Sequence, residues 1–123
     1  MRDVLFRGKN KEGEWIYGSH FFDGEKHFIV MKKSECFYED FMVNPKTIGE
    51  YTGVSDKEGK EIYEGDIILI RTWLNIFKDK AIVEFDRGSF VANGASLNNW
   101  TDVRILGNKV DDVELAKEFG DGE

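Results

Sequence analysis

Glycine punctuates this chain, and most of the runs between successive glycines are five residues or fewer. Thirteen glycines fall along 123 residues, and the runs between them are rich in Ile, Val, Phe, Tyr and Thr. Those residues suit a pleated, half-buried surface, and glycine supplies the backbone freedom that tight turns demand. The pattern predicts short strands joined by turns. Strands are expected at Val4–Phe6, Trp15–Gly18, Thr47–Thr52, Ile67–Ile70, Ala81–Phe85, Ser89–Val91 and Val103–Leu106. Asp23-Gly24 sits between Phe21-Phe22 and Phe28–Met31, a hairpin signal. Residues 32–45 are less regular. Ile67–Ile70 is apolar at every position, so this strand is expected to be covered on both faces.

One helix is expected near the end, capped by Asp111 with Glu114 three residues on, its apolar stripe drawn from Val113, Leu115, Ala116 and Phe119. Lys11-Glu12-Gly13 followed by an aliphatic–aromatic pair echoes Lys57-Glu58-Gly59. A single echo does not make a repeat protein, and it reads as two turns of the same chemistry.

Charge and composition then limit the function. The net charge of -7 comes from 24 acidic and 17 basic side chains. Residues 111–123 hold six of the acids and one base, leaving 18 acids against 16 bases in residues 1–110. The body is nearly balanced and the tail is acidic, so a local basic patch for nucleic acid stays open. Length fits one domain, expected as a β-domain over 1–110 with a short acidic helix and tail, 111–123, belonging to it. One cysteine makes no internal disulfide. No apolar run approaches the roughly 20 residues of a membrane span, and residues 1–7 have no signal-peptide character. The expected setting is therefore the cytoplasm.

The stretch Val43-Asn44-Pro45-Lys46-Thr47-Ile48-Gly49-Glu50-Tyr51-Thr52-Gly53-Val54, with Asp56-Lys57-Glu58-Gly59-Lys60-Glu61-Ile62-Tyr63-Glu64-Gly65-Asp66-Ile67, resembles the YopX family of small phage and prophage proteins. Phe6–Gly8 with Trp15–Gly18 before this stretch, and Ile82–Asp86, Gly88–Phe90 and Ile105–Asn108 after it, fit in order. The resemblance implies a mainly-β fold, an SH3-like small barrel with added N-terminal strands and a short C-terminal helix, and a bacterial host. It brings no active-site residues. Gly65, Asp66, Asp86 and Gly88 fit the corners of such a barrel and need no catalytic explanation.

Most enzyme chemistries lack their signature. There is no phosphate-cradling loop, dinucleotide fingerprint or nucleophile elbow. His20 and His27 come together if residues 20–30 form a hairpin, but their spacing matches no zinc module. Cys36 with a histidine is the one conceivable thiol–imidazole pair, and Glu84 with Asp86 flank Phe85 where solvated charge is ordinary. No catalytic residue, metal or cofactor is expected, and no enzyme activity.

The segment Arg71-Thr72-Trp73-Leu74-Asn75-Ile76-Phe77-Lys78-Asp79-Lys80 is richer in large apolar residues than a connecting loop requires. It reads as a packed hairpin, as a protein interface with aromatic anchors, or as a single-strand nucleic-acid surface. In the last, Trp73 and Phe77 stack bases while Arg71, Lys78 and Lys80 meet phosphates. Trp100 is a further candidate, either a ligand platform or a lid over one open end of the expected barrel. The expected function is non-catalytic binding, to a protein partner or a second copy, with single-stranded nucleic acid as the alternative.

Overall fold

The computed structural model describes residues 5–71, 78–93, 95–97, 100 and 102–117. The chain is mainly β and antiparallel, and it divides into two compact units, Met1–Tyr51 and Thr52–Glu123.

The first unit is a meander. Strands β1 (Phe6–Lys9), β2 (Trp15–Phe22), β3 (His27–Ser34) and β4 (Phe37–Met42) lie in the order β4-β3-β2-β1. The start of β5 (Gly49–Ser55) then pairs with β1 through Phe6↔Glu50 and Arg7↔Gly49. Between β4 and β5, Asn44 caps a single 3-10 turn at Pro45–Thr47 by accepting the Lys46 N–H. The Asp23 carboxylate, accepting the N–H groups of Glu25 and Lys26, closes the β2–β3 hairpin as its sequence predicts. The irregular stretch 32–45 proves to contain β4 and the end of β3. Its register slips between Lys32 and Ser34, and a bulge hides the period-two pattern from a sequence reading. One face of the sheet carries the core, Ile16, Ile29 and Val43, with Phe6, Met31, Phe41 and Ile48 packed on it. Gly18 lets β2 and β3 approach, because a Cβ there would run into the Val30 carbonyl.

In the second unit the rest of β5 forms a hairpin with β6 (Glu61–Tyr63). Strands β7 (Asp66–Arg71), β8 (Lys78–Ile82) and β12 (Asp102–Asn108) form one sheet, ordered β12-β7-β8. Strands β9 (Glu84–Asp86), β10 (Ser89–Ala92) and β11 (Ala95–Ser96) form another, ordered β11-β10-β9. Among the described residues no sheet closes into a barrel. β7 is covered on both sides, as its unbroken apolar run predicts. Ile68 and Ile70 enter the main core with Ile62, Val83, Leu97 and Val103. Ile67 packs with Ile82, Ala116 and Leu115 on the other side.

Helix α1 (Val113–Ala116) supplies that cover. It starts at Asp112 and not at the expected cap, Asp111. The Asn108 side chain accepts the N–H groups of Val110 and Asp111, and Asp112 accepts the Asn108 N–H, so the preceding turn is wired internally. Val113 is 45% exposed and does not join the expected apolar stripe.

The sequence echo is one turn built twice. Asn10 accepts the N–H groups of Glu12 and Glu14. Asp56 accepts those of Glu58 and Lys60. In each, a left-handed glycine, Gly13 or Gly59, donates to the carbonyl of the residue that organises the turn.

Candidate functional site

The residues expected to bind divide into those the fold employs and those outside the described set. Trp73 and Phe77 lie outside the described residues, and Lys78 is placed by its backbone alone, opposite Arg71 on β8. Lys80 is exposed. Arg71 ends β7, with Nε 3.9 Å from Asp102 Oδ2. Lys57 Nζ stands 3.5 Å from the same oxygen. Asp102 thus offsets two cations that phosphates would otherwise meet. Trp100 is half-buried on the main core of its unit, and its Nε1–H donates to the Ala92 carbonyl at 3.0 Å. Its indole, with Leu97, Val54 and Val103, lines an open groove of about 510 Å³ whose polar rim is Asp56, Lys57 and Asp102.

The Asp56 carboxylate is committed to structure. It is 7% exposed. Burial raises its pKa, but N–H donors from Lys60, Ile105 and Glu58 outweigh that and hold it below the usual carboxylate value. Asp66 is likewise buried and accepts the Tyr63 N–H at 2.8 Å. Gly65 and Gly88 adopt left-handed backbone, as turn corners require. Glu84 and Asp86 are exposed on β9.

In the first unit the β2–β3 hairpin does bring the two histidines together. His20 Nε2 lies 2.7 Å from His27 Nδ1. His27 stacks on Phe22, and His20 tilts against Phe6. Burial, then the charge of His27, lowers the His20 pKa below 6.5. One proton between the facing nitrogens satisfies both rings. Among the described residues no group of three or more His, Cys, Asp or Glu could hold a metal ion. Cys36 is exposed in the β3–β4 turn. It lies beyond the far end of β3 from His27, roughly 23 Å away along the strand at about 3.3 Å per residue, so no thiol–imidazole pair forms.

What a sequence reading misses is the opposite sheet face. Tyr17 and Phe21 on β2, Phe28 and Val30 on β3, and Tyr38 and Met42 on β4 share it by register. Tyr17 is 45%, Phe21 54%, Tyr38 57% and Met42 45% exposed. At neighbouring positions Phe22 and Phe37 are also more than half exposed. The available signal was alternation in 17–22 with aromatics at both parities, which leaves no polar face for solvent.

Fold and site together define a mainly-β protein of two antiparallel units whose exposed chemistry is aromatic. The family model described as YopX protein matches residues 5–116, and the chain belongs to the YopX family. Protein EF1440 from Enterococcus faecalis, known from a crystal structure, is similar in fold. Its TM-score is 0.59 at 20% identity, over 94% of this chain and 99% of that one. No curated protein matches. No helix among the described residues is long and apolar enough to cross a membrane.

Proposed function

We propose that this protein is a non-catalytic binding module that acts by protein–protein contact or self-association. In this reading it is encoded by a phage or prophage, as the resemblance to its family implies, and works in the cytoplasm of a bacterial host. The second unit is read as an SH3-like barrel in which β8 and β9 are one strand bent at Val83. At that bend the Val83 N–H bonds Asp66 and its carbonyl accepts from Gly65. The observation that carries the reading is the aromatic face of β2–β4, with Tyr17, Phe21 and Tyr38 all 45% exposed or more. Exposed aromatic clusters of this kind anchor interfaces. The segment 71–80 is kept as a second contact region, with Trp73 and Phe77 as its anchors.

The test is a Phe21→Ser/Tyr38→Ser double variant beside a Trp73→Ala/Phe77→Ala double variant. Each should keep the wild-type circular dichroism. At least one should lose a partner identified by mass spectrometry with the wild type, or shift the sedimentation profile. If both variants retain the same partners and profile, the module reading fails. Binding of a single-stranded oligonucleotide that weakens with salt and on Lys80→Glu would favour the nucleic-acid alternative instead.

A further inference from the structure

We infer that the free edge of β4 is a docking site for an extended, basic–apolar segment of another protein, which adds to the sheet as an antiparallel strand. The inference rests on the binding-module reading and names its partner's chemistry. β4 ends the strand order of the first unit, so its outer row of N–H and C=O groups has no strand partner among the described residues. Native edges are usually blunted by shortness, proline, a bulge, charged side chains or a covering element, and on β4 the charges are both acidic, Glu39 and Asp40, which repel a second copy and not a basic strand. β4 is six residues long, Phe37-Tyr38-Glu39-Asp40-Phe41-Met42, and has neither proline nor lysine. Five of the six are exposed. Edge groups of this kind give affinity through main-chain bonds and specificity through alternate side chains.

Charge selects the occupant. Glu39 and Asp40 sit at the centre of the strand. An antiparallel second copy centred there would set Glu39 against Asp40 at both positions, and like charges directly opposite are unfavourable. An added strand with two basic residues at its centre removes that conflict. Lys33 stands 3.6 Å from Glu39, whereas Asp40 has no ion pair with a described residue. Asp40, Phe41 and Met42 also form one side of an open groove of about 580 Å³, with Glu12, Glu14 and Lys11 on the other. Its apolar lining comes from Phe41 and Met42, and it holds three acids against one base. The size lies within the roughly 300–1,000 Å³ of ordinary ligand sites. Antiparallel register sets the pattern of the incoming strand. Apolar residues face Met42 and Tyr38, and the basic pair between them faces Asp40 and Glu39.

The probe is a labelled peptide, Val-Thr-Lys-Arg-Val-Tyr, titrated by fluorescence anisotropy against the full chain. Saturable binding is expected, weakening as salt rises. It should drop by about tenfold on Asp40→Lys and be lost when Glu-Asp replaces Lys-Arg in the peptide. N-methylation of successive peptide amides tests the strand geometry without altering the protein. Alternate positions should abolish binding and the intervening ones should not. Equal binding of the acidic peptide overturns the inference, as does insensitivity to N-methylation. A dimer in sedimentation that Asp40→Lys disrupts would also overturn it, since β4 would then hold a second copy. If the Phe21→Ser/Tyr38→Ser variant loses its partner while Asp40→Lys keeps it, the module reading stands and the β4 site falls. If neither the face nor segment 71–80 matters for any partner, the module reading itself falls.

Discussion

The two units spend their apolar residues differently. The second buries aliphatic side chains: Ile62, Ile67, Ile68, Ile70 and Val83 are all 1% exposed or less. Its large exposed apolar residues, Phe85, Leu106 and Val113, are scattered among β9, β12 and α1. The first unit buries only Ile16, Ile29 and Val43 among its described apolar side chains, yet displays Tyr17, Phe21 and Phe22 on β2 and Phe37, Tyr38 and Met42 on β4, the two strands that flank β3. Branched aliphatics fill volume at little cost in side-chain entropy. Aromatics left at a surface offer large, rigid contact area. The contrast separates residues that hold the fold from residues available to a partner.

The strongest way to break that contrast is to delete volume in each unit. Ile68→Ala removes buried methylenes from a closely packed core and should cost about 2–5 kcal/mol, read as a lower midpoint in urea. Phe21→Ser should change stability by no more than about 0.5 kcal/mol, as an exposed substitution does. Comparable losses for the two would mean that Phe21 is covered in solution and that the division is wrong.

A middle-sized effect is expected at Asp56, which ties its own turn to β12 through the Ile105 N–H at 3.2 Å. In Asp56→Asn one oxygen still accepts from Glu58 and Lys60, but the amide NH2 meets the Ile105 N–H donor. Leaving that donor unsatisfied should cost about 1–3 kcal/mol. The pH dependence has a definite sign. Despite burial, the N–H donors hold the folded carboxyl below the ordinary carboxylate value. Its stabilisation is therefore complete above that value and lost as pH falls through the lower folded one. Acid unfolding of the asparagine variant should be less steep. An unchanged acid limb would show that these backbone bonds do not hold the carboxylate charged.

Much of the second unit was legible because one physical signal dominated each element. The unbroken run Ile67–Ile70 could only be a strand covered twice, and the Lys57-Glu58-Gly59 tip marked the turn that Asp56 organises. The first unit was less legible. The Lys32/Ser34 bulge broke the alternation that would have revealed β4, and cross-strand register, which sets Phe21 beside Phe28 and Phe28 beside Met42, is invisible before pairing is known. The aromatics near segment 71–80 were conspicuous because they clustered in sequence. The β2–β4 face draws Phe21, Phe28 and Met42 from three strands and assembles only when those strands pair. Trp100 drew notice as an isolated tryptophan, yet its N–H is spent on Ala92.

The smallest expected effect lies at the histidine pair, and it sharpens the picture of the first unit. With His20 Nε2 and His27 Nδ1 2.7 Å apart, one nitrogen must accept while the other donates. Two imidazolium rings would set N–H against N–H and charge against charge. The folded state therefore disfavours protonating His20, whose pKa lies below 6.5 first because of burial and then because of His27. For a group with a depressed folded pKa, stability is complete above the unfolded value and declines as pH falls through it toward the folded one. Thermal midpoints measured between about pH 7.5 and 5 should fall for the wild type and fall less for His20→Gln, which keeps a hydrogen-bonding group but cannot charge. If the pair carries this sensitivity, the exposed Phe22 stacked on His27 is held by a hairpin that loosens with acid, and the aromatic face weakens before the aliphatic core does. Parallel slopes for the two proteins would remove the histidines from that account and leave the hairpin's order to its turn and aromatic contacts alone.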